Sequence, residues 1–323
     1  MTSKVKVLLD DNSFVAQRAC YFRKINELRK ADALILFHDE TWVNINEEKR
    51  SIWVDDSGKG RLRKTDGKGI TLIILPEKIF MYAYIFNIGT RLGISAMIDK
   101  NGFHLPSVDI FDCSKDHSMT SSYFSEWIKK AAFRLREDNG PSQRIAIAID
   151  NATWHSELTE STKPAKRSMR KNQIIEWLQN HDIEFDPTLK KSELLEIASE
   201  NKPRKKHKID EVAQEFDVQI VRLPVRHCSL NPMELAWAAL KDYIRKNNTN
   251  FTMSSVYELA AEFIAGFDDK AAQDAIRHAE KLEMTYKTAD NFVENIVEPQ
   301  LIDDVSDTEI DNLSDDSDDS TDI

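Results

Sequence analysis

The chain has 323 residues, of which 41% are hydrophobic and 31% are charged, an ordinary composition for a protein with a substantial core. It has no apolar run near the ~18 residues that a membrane helix needs, and its three cysteines form no CxxC pair. We therefore expect no membrane segment, no disulfide framework and no zinc ribbon.

The net charge of −11 is unevenly distributed along the chain. Residues 303–323 contain ten Asp and Glu but no Lys or Arg, and without these ten acids the net charge would be −1. The positive charge gathers in two clusters: Lys163, Lys166, Arg167, Arg170 and Lys171, then Lys202, Arg204, Lys205, Lys206 and Lys208. Such clusters suit contacts with phosphates.

The first half of the chain contains mainly strand patterns after an opening helix. Helical spacing predicts a helix over 14–30, and the apolar run ALILF predicts a strand over 33–37. Further features follow in order: strands at 51–54, 70–75 and 79–86, a Gly/Lys-rich loop at 56–69, a helix at 119–136 and a strand at 144–149. Residues 87–118 match no element clearly. RIAIAI at 144–149 has the purely apolar character of a central strand.

The second half is mainly helical. A polar, basic segment contains the helical patterns MRKNQIIEWLQN and KKSELLEIASEN, joined by an extended link. Their expected small core is Leu178, Ile183, Leu189 and Leu194. The remaining elements are a helix at 209–216, a strand at 218–223 and helices at 232–247, 254–266 and 269–287. This order predicts a mixed α/β fold with helices covering the sheet.

Three acidic residues stand in separate short motifs: Asp39 in FHDETW, Asp150 in IAIAIDNATWHS and Glu234 in SLNPMELAW. We expect the first two at the carboxyl ends of strands, where α/β sheets bind ligands. Each has a plain structural alternative: a turn for Asp39, a turn or helix cap for Asp150, and a capping role for Glu234. In the last case Asn231 would be the N-cap and Pro232 the first helical residue.

Three carboxylates brought together would suit metal-dependent phosphodiester cleavage. Two divalent ions about 3.5–4 Å apart can activate the nucleophile and stabilise the leaving oxygen. Mg²⁺ prefers oxygen ligands of this kind. Without a cation the like charges repel one another, so we expect perturbed pKa values at this site.

The blocks FHDETWVN, AIDNATWH and SLNPMELAWAALK together resemble the signature blocks of the mariner superfamily of cut-and-paste DNA transposases, over residues 20–287. The resemblance implies a ribonuclease H-like mixed sheet flanked by helices, DNA strand cleavage, and strand transfer that integrates the element into target DNA. It also implies site residues. Asp39, Asp150 and Glu234 would be catalytic and bind two Mg²⁺ or Mn²⁺ ions, with Asn151, His155 and Asn231 in support.

Two departures from the family pattern shape the predicted domain organisation. Only 38 residues precede Asp39, fewer than the family's two helix-turn-helix modules need, and Glu234 lies 84 positions after Asp150, where the family has a few tens. We therefore predict five parts: an N-terminal helical remnant (1–30), a first core segment (31–155), a basic insertion (156–208), a second core segment with C-terminal helices (209–290) and a disordered acidic tail (291–323).

The insertion resembles a SAP-like DNA-binding hairpin of helix, extended loop and helix. Its predicted nucleic-acid-binding residues are Lys166, Arg167, Arg170, Lys171, Arg204, Lys205, Lys206 and Lys208. The alternative is an inert surface insertion with solvated charges. KPRKKHK at 202–208 also resembles a nuclear-localisation cluster, so we expect the nucleus as the compartment.

The expected partners are transposon ends and target DNA, with a homodimer left open, no membrane, and no nucleotide cofactor because the Gly-Lys-Gly repeats lack the P-loop pattern. A rival interpretation is a domesticated, catalytically silent protein that binds nucleic acid and kept the transposase fold. A general metal-dependent nuclease is a third.

Overall fold

The structure is a computed structural model that describes residues 11–45, 91–113 and 119–300. Several predicted features lie outside these residues: the strands at 51–54, 70–75 and 79–86, the loop at 56–69, and the tail from 301 onward.

The described strands form one mixed sheet in which β1 is central. They are β1 (Leu34–Asn44), β2 (Arg91–Asp99), β3 (Gly102–Phe103), β4 (Asp109–Cys113), β5 (Ile145–Ile149) and β6 (Val218–Arg222). Strand β1 pairs antiparallel with β2 on one side and parallel with β5 on the other. Strand β6 continues in parallel beside β5, whereas β3 and β4 pair antiparallel with β2. The predicted mixed α/β sheet flanked by helices is confirmed.

The eight described helices are α1 (Asn12–Lys30), α2 (Ser121–Asn139), α3 (Lys171–Asn180), α4 (Lys191–Glu200), α5 (Lys208–Gln214), α6 (Met233–Asn247), α7 (Met253–Gly266) and α8 (Asp269–Phe292). Six of them cover the two faces of this sheet, and α3 and α4 form a separate hairpin. Among the eight, none combines the length and apolar character of a membrane span.

The sequence IAIAI of β5 reflects burial on both faces. Its isoleucines pack in one core with α2 and α5, while Ala146 packs with α1 and Ala148 packs with α6 and α7. A strand covered on both sides needs no polar alternation, as is usual for strands in parallel pairings. The small alanine side chains leave room for helices on the second face.

Strand β1 is longer than its apolar run predicts. It continues seven residues past Phe37 to Asn44, because β2 pairs antiparallel with every residue from Phe37 to Asn44. That ladder satisfies the backbone hydrogen bonds of polar residues that looked like a turn. Asp39 therefore lies inside a strand, and both the prediction that it ends a strand and the alternative that it lies in a turn are wrong.

The predicted helices are confirmed with small shifts at their ends. The largest difference is in α8, which runs to Phe292 rather than 287 and is followed by helical turns over Val293–Val297 and Glu298–Gln300. The prediction of a disordered tail from 291 is therefore wrong for residues 291–300, which are helical. The ion pair of Asp290 with Arg18 of α1 holds this end of α8 against the body of the protein.

Helices α3 and α4 form a hairpin with a core of its own. The core contains the expected Leu178 and Leu194, with Ile183 and Leu189 packed against it, together with Ile174, Trp177 and Ala198, which we had not named. At the base of the insertion, Thr159 N donates to Lys206 O at 2.9 Å and Lys208 N donates to Glu157 O at 2.9 Å. The chain therefore leaves the body and returns to it at one place.

Candidate active site

Asp39 and Asp150 come from neighbouring strands. The parallel register pairs Phe37 of β1 with Ala148 of β5, and two further residues along each chain lead to Asp39 and Asp150. Strand β5 ends at Ile149, so the two carboxylates lie where the parallel ladder stops and the sheet opens. Asp150 follows its strand as predicted.

Glu234 is brought to the same place by Asn231. The Asn231 Nδ2 donates to the carbonyl of His38 at 2.9 Å, and its Oδ1 accepts from Met233 N at 3.2 Å. One buried side chain thus caps α6 and ties its start to the residue before Asp39. Because the backbone N–H of Asn231 donates to Cys228 O at 2.8 Å, the helix start does not use Glu234 as a capping-box partner. Its carboxylate is exposed to the cleft instead.

The three predicted acids line one cleft with a volume of about 310 Å³. The remaining lining residues are Asn151, Ala152, Leu223, Pro224, Val225, Arg226, His227, Cys228 and Asn231. The Asn151 Nδ2 donates to Leu223 O at 2.6 Å, which fixes the loop after β6 against the end of β5. The structure therefore brings together Asp39, Asp150 and Glu234.

The electrostatics of Asp39 show the effect of this crowding. Burial, followed by the negative charges of Glu40, Glu234 and Asp150, raises the pKa of Asp39 well above its usual range. A cation in the cleft would reverse that effect, since it would compensate the clustered negative charge. The oxygen-only donor set fits Mg²⁺ or Mn²⁺.

Asp150 is held by two hydrogen bonds to one of its oxygens. Its Oδ1 accepts from Ala152 N at 2.9 Å and from His155 Nδ1 at 2.6 Å. Burial alone would raise the pKa of Asp150, but these hydrogen bonds outweigh burial, and the pKa is lowered. Asp150 is therefore ionised at neutral pH, with Oδ2 left for the cleft.

His155 lies between Asp150 and a second carboxylate, Glu40. Its Nε2 donates to Glu40 Oε1 at 2.9 Å, and the imidazole is fully buried. Burial would lower the pKa of His155, but the hydrogen bonds and charges of Asp150 and Glu40 raise it to about 9. Its buried neighbour His38 has a pKa well below the usual value, owing to burial and the charge of His155.

His38, Glu40 and His155 also place three potential metal-ligating atoms within 4.8 Å of one another. Nitrogen-rich sets of this kind suit zinc better than magnesium. However, Glu40 Oε1 already accepts N–H bonds from His155 Nε2 at 2.9 Å and from Trp154 Nε1 at 3.1 Å. As arranged, Glu40 and His155 form a hydrogen-bonded chain leading to Asp150, while His38 Nε2 bonds Ser95 Oγ at 3.0 Å.

Several site residues were missed by sequence reasoning. Glu40 lies beyond the predicted end of β1, and only the alternation of the 11-residue strand puts it on the face opposite Asp39. Trp154 follows β5 and carries no sequence pattern that marks it as a partner of Glu40. Arg226 and His227 of the cleft carried no recognisable pattern. Arg226 has a φ of 64°, unusual for a residue other than glycine, and among the described lining residues it is the one Arg or Lys.

The predicted nucleic-acid-binding residues are not brought into the cleft. All eight lie in the basic insertion: Lys166, Arg167, Arg170 and Lys171 at the start of α3, and Arg204, Lys205, Lys206 and Lys208 on the returning segment. Six are exposed, while Lys171 and Lys208 are half-buried. Lys208 Nζ is paired with Glu157 Oε1 at 2.5 Å, so its charge is partly compensated.

No protein-family model matches the chain, and no curated protein is similar to it in sequence. The solved structures similar to it include the Mos1 transposase paired-end complex with left transposon end, at 11% identity and a TM-score of 0.49. They also include the Mos1 mariner paired end complex with Mn, at 11% identity and a TM-score of 0.49. A third is the catalytic domain of Mos1 mariner transposase, at 10% identity and a TM-score of 0.45.

The matches extend over most of this chain. They cover 90% of it and 66% of the chain in both complexes, and 88% of it and 97% of the chain in the catalytic-domain structure. This chain thus spans slightly less than two thirds of the length of the chains in the complexes. A likeness at this identity concerns the fold alone.

Proposed function

We propose that this chain is the catalytic part of a mariner-type DNA transposase, which cleaves DNA strands and joins a freed 3′ end to target DNA. One observation carries the proposal: Asp39, Asp150 and Glu234, from two strands and a helix far apart in sequence, line one cleft. The three acids are those whose motifs resemble the family's signature blocks.

The residues of the cleft have distinct tasks in this proposal. Asp39, Asp150 and Glu234 would hold two Mg²⁺ or Mn²⁺ ions, which when bound supply charge compensation for an in-line phosphoryl transfer. Asn231 holds the start of α6 against β1 and so places Glu234. Asn151 holds the loop that contributes Arg226 to the cleft wall. Arg226 offers a cation to a DNA phosphate beside the carboxylates.

DNA would continue from the cleft onto the basic insertion. The base of the insertion follows β5 and Asp150 directly, and the pairing of Thr159 with Lys206 places the second basic cluster there. Exposed Lys and Arg side chains bind phosphates without reading sequence. Two transposon ends and a target would be handled by two copies of the chain, so the proposal includes a homodimer and, through 202–208, import into the nucleus.

Cleavage of labelled DNA in Mg²⁺ or Mn²⁺ tests the enzymatic part. We expect nicking and joining by the wild type and a loss of at least about 100-fold in Asp150→Ala, as removal of one key site residue usually costs. The matched control is Asp274→Ala, an exposed acid on α8 whose ion-pair partner among the described residues is Arg277 on its own helix. Binding without cleavage by the wild type on every substrate would contradict the proposal and support the domesticated protein.

A further inference from the structure

The Asp150 side chain is connected to a residue on the other side of the sheet. Glu40 follows Asp39 on β1, so the two side chains lie on opposite faces of the strand. Asp39 faces the cleft, whereas Glu40 is 8% exposed and contacts Trp154 and His155. Glu40 is not among the residues that line the cleft.

The connection runs through both nitrogens of one imidazole. His155 is 0% exposed, donates from Nε2 to Glu40 at 2.9 Å and donates from Nδ1 to Asp150 at 2.6 Å. Phe124 packs against the ring with centroids 4.1 Å apart. With both nitrogens bonded and its face covered, the imidazole has one orientation available.

Asp150 needs such a restraint because it lies at the end of its strand and is half-exposed. The hydrogen bond from His155, together with that from Ala152 N, commits Oδ1 and fixes the direction of Oδ2. Carboxylates that bind metals are commonly oriented by partners of this kind, whose loss costs about 10–100-fold in metal affinity or activity.

We propose that Glu40 and His155 are positioning residues, which hold Asp150 in the orientation that binds the divalent ion without touching ion or DNA themselves. This inference rests on the proposed metal-dependent function. Glu40 would thus act on Asp150 through His155, although Glu40 lies on the face of the strand opposite Asp39.

Mn²⁺ binding without DNA, measured by titration calorimetry, tests the proposal independently of catalysis. His155→Gln removes the donor that reaches Asp150, whereas in His155→Asn the side-chain amide nitrogen can take the place of Nδ1. We expect about 10–100-fold weaker Mn²⁺ binding for His155→Gln and a smaller loss for His155→Asn, which keeps the bond to Asp150 but loses the bond to Glu40. Similarly, Glu40→Leu, which removes the acceptor, should weaken binding, while Glu40→Gln keeps a carbonyl acceptor and should not.

The conservative variants separate positioning from direct ligation. If the buried His38, Glu40 and His155 held the ion themselves, then His155→Asn and Glu40→Gln would lose it as fully as the disruptive pair, and the proposal would be overturned. His181→Gln, in the α3–α4 hairpin, is the matched control and should bind Mn²⁺ like the wild type. Unfolding curves, recorded for every variant, set the temperature at which all are folded.

A double-mutant cycle shows whether His155 acts through Asp150. In an Asp150→Asn background, His155→Gln should cause no further loss of Mn²⁺ affinity. A full additional loss would overturn the proposal while leaving the metal-dependent function intact. No Mn²⁺ binding by the wild type would overturn both, whereas wild-type binding that Glu40→Leu and His155→Gln leave unchanged would overturn the positioning role alone.

Discussion

At the scale of single residues, Asp39 and His155 have shifted pKa values that make the free energy of unfolding depend on pH. Asp39 is an acid with a raised pKa, so the unfolded state releases its proton at lower pH than the folded state does. Its contribution is therefore most favourable below the unfolded pKa and is lost as pH rises through the folded pKa. His155, raised to about 9, contributes most below about pH 6.5 and loses that contribution as pH rises through about 9.

The first prediction concerns Asp39→Asn. Burial and three neighbouring negative charges make the ionised carboxylate unfavourable in the folded state. Its removal should therefore raise Tm at pH 7, by roughly 2–4 °C for each kcal/mol gained in the free energy of unfolding. The gain should vanish near pH 3, where the wild-type carboxyl is protonated, and Mg²⁺ should raise Tm only in the wild type. Thermal unfolding across this pH range is the measurement, and a variant less stable than the wild type at pH 7 would contradict the prediction.

The second prediction uses His155. Because Asp150 and Glu40 raise the pKa of His155 to about 9, the wild type should lose on the order of 3 kcal/mol of unfolding free energy between pH 6 and pH 10. The groups that face the imidazole are Asp150, Glu40 and His38. Urea unfolding at several pH values should show that the unfolding free energy of His155→Asn depends less on pH than that of the wild type. An equal pH dependence in the two proteins would contradict the prediction.

At the scale of elements, one arginine joins the end of α2 to the loops before β5 and β6. Arg136 donates to Phe216 O at 2.9 Å, Gly140 O at 2.7 Å, Gln143 O at 2.8 Å and Asp217 O at 2.6 Å. A planar guanidinium can satisfy several carbonyl groups at once, which a lysine cannot reproduce.

Arg136→Ala should therefore lower the free energy of unfolding by about 2–4 kcal/mol, since carbonyls near the strand starts lose a charged donor. Arg136→Lys should recover less than half of the loss. Arg134→Ala is the matched control on the same helix, because Arg134 is exposed and, in the described part of the chain, has Glu137 as its ion-pair partner at 3.0 Å. Its cost should stay below about 0.5 kcal/mol in urea unfolding, and an equal loss in both alanine variants would refute the assignment.

At the scale of the whole molecule, the α3–α4 hairpin has its own core and joins the body at one place. Replacing residues 163–205 with a short Gly/Ser linker should leave the sheet folded, because Leu158 and His207 already form a bridge there. Mn²⁺ affinity should persist while DNA affinity falls and its salt dependence flattens. Circular dichroism, calorimetry and DNA titration at several salt concentrations measure the three effects.

A finer variant tests the same surface without removing it. Charge reversal of the exposed Lys205 and Lys206 to Glu should weaken DNA binding at least about tenfold at low salt. Lys270 and Lys281, both on α8 outside the two basic clusters, provide the matched pair for reversal. Unchanged affinity in the Lys205/Lys206 variant would leave the insertion as an inert surface hairpin.

The sequence by itself determined the features that depend on local periodicity and on residue type. The Ile–Ala run of β5, the helical spacing of α1 and α6, and the Leu178–Leu194 core of the hairpin all depend on neighbours in the chain. The same holds for Asn231, whose capping role follows from the residue type beside a proline. The three acids could be recognised from the sequence because each stands in a short local motif.

Only the tertiary structure decided which of these residues meet. Strand β1 extends through Asp39 and Glu40 because β2, some fifty residues later, supplies its ladder, and no local pattern in HDETWVN encodes a partner at that distance. Asp39 and Glu40 point to opposite faces because side chains alternate along a strand. Asp39 therefore faces the cleft, and Glu40 accepts a hydrogen bond from His155. Parallel register then sets Asp39 beside Asp150, and the amide of Asn231 brings Glu234 to both.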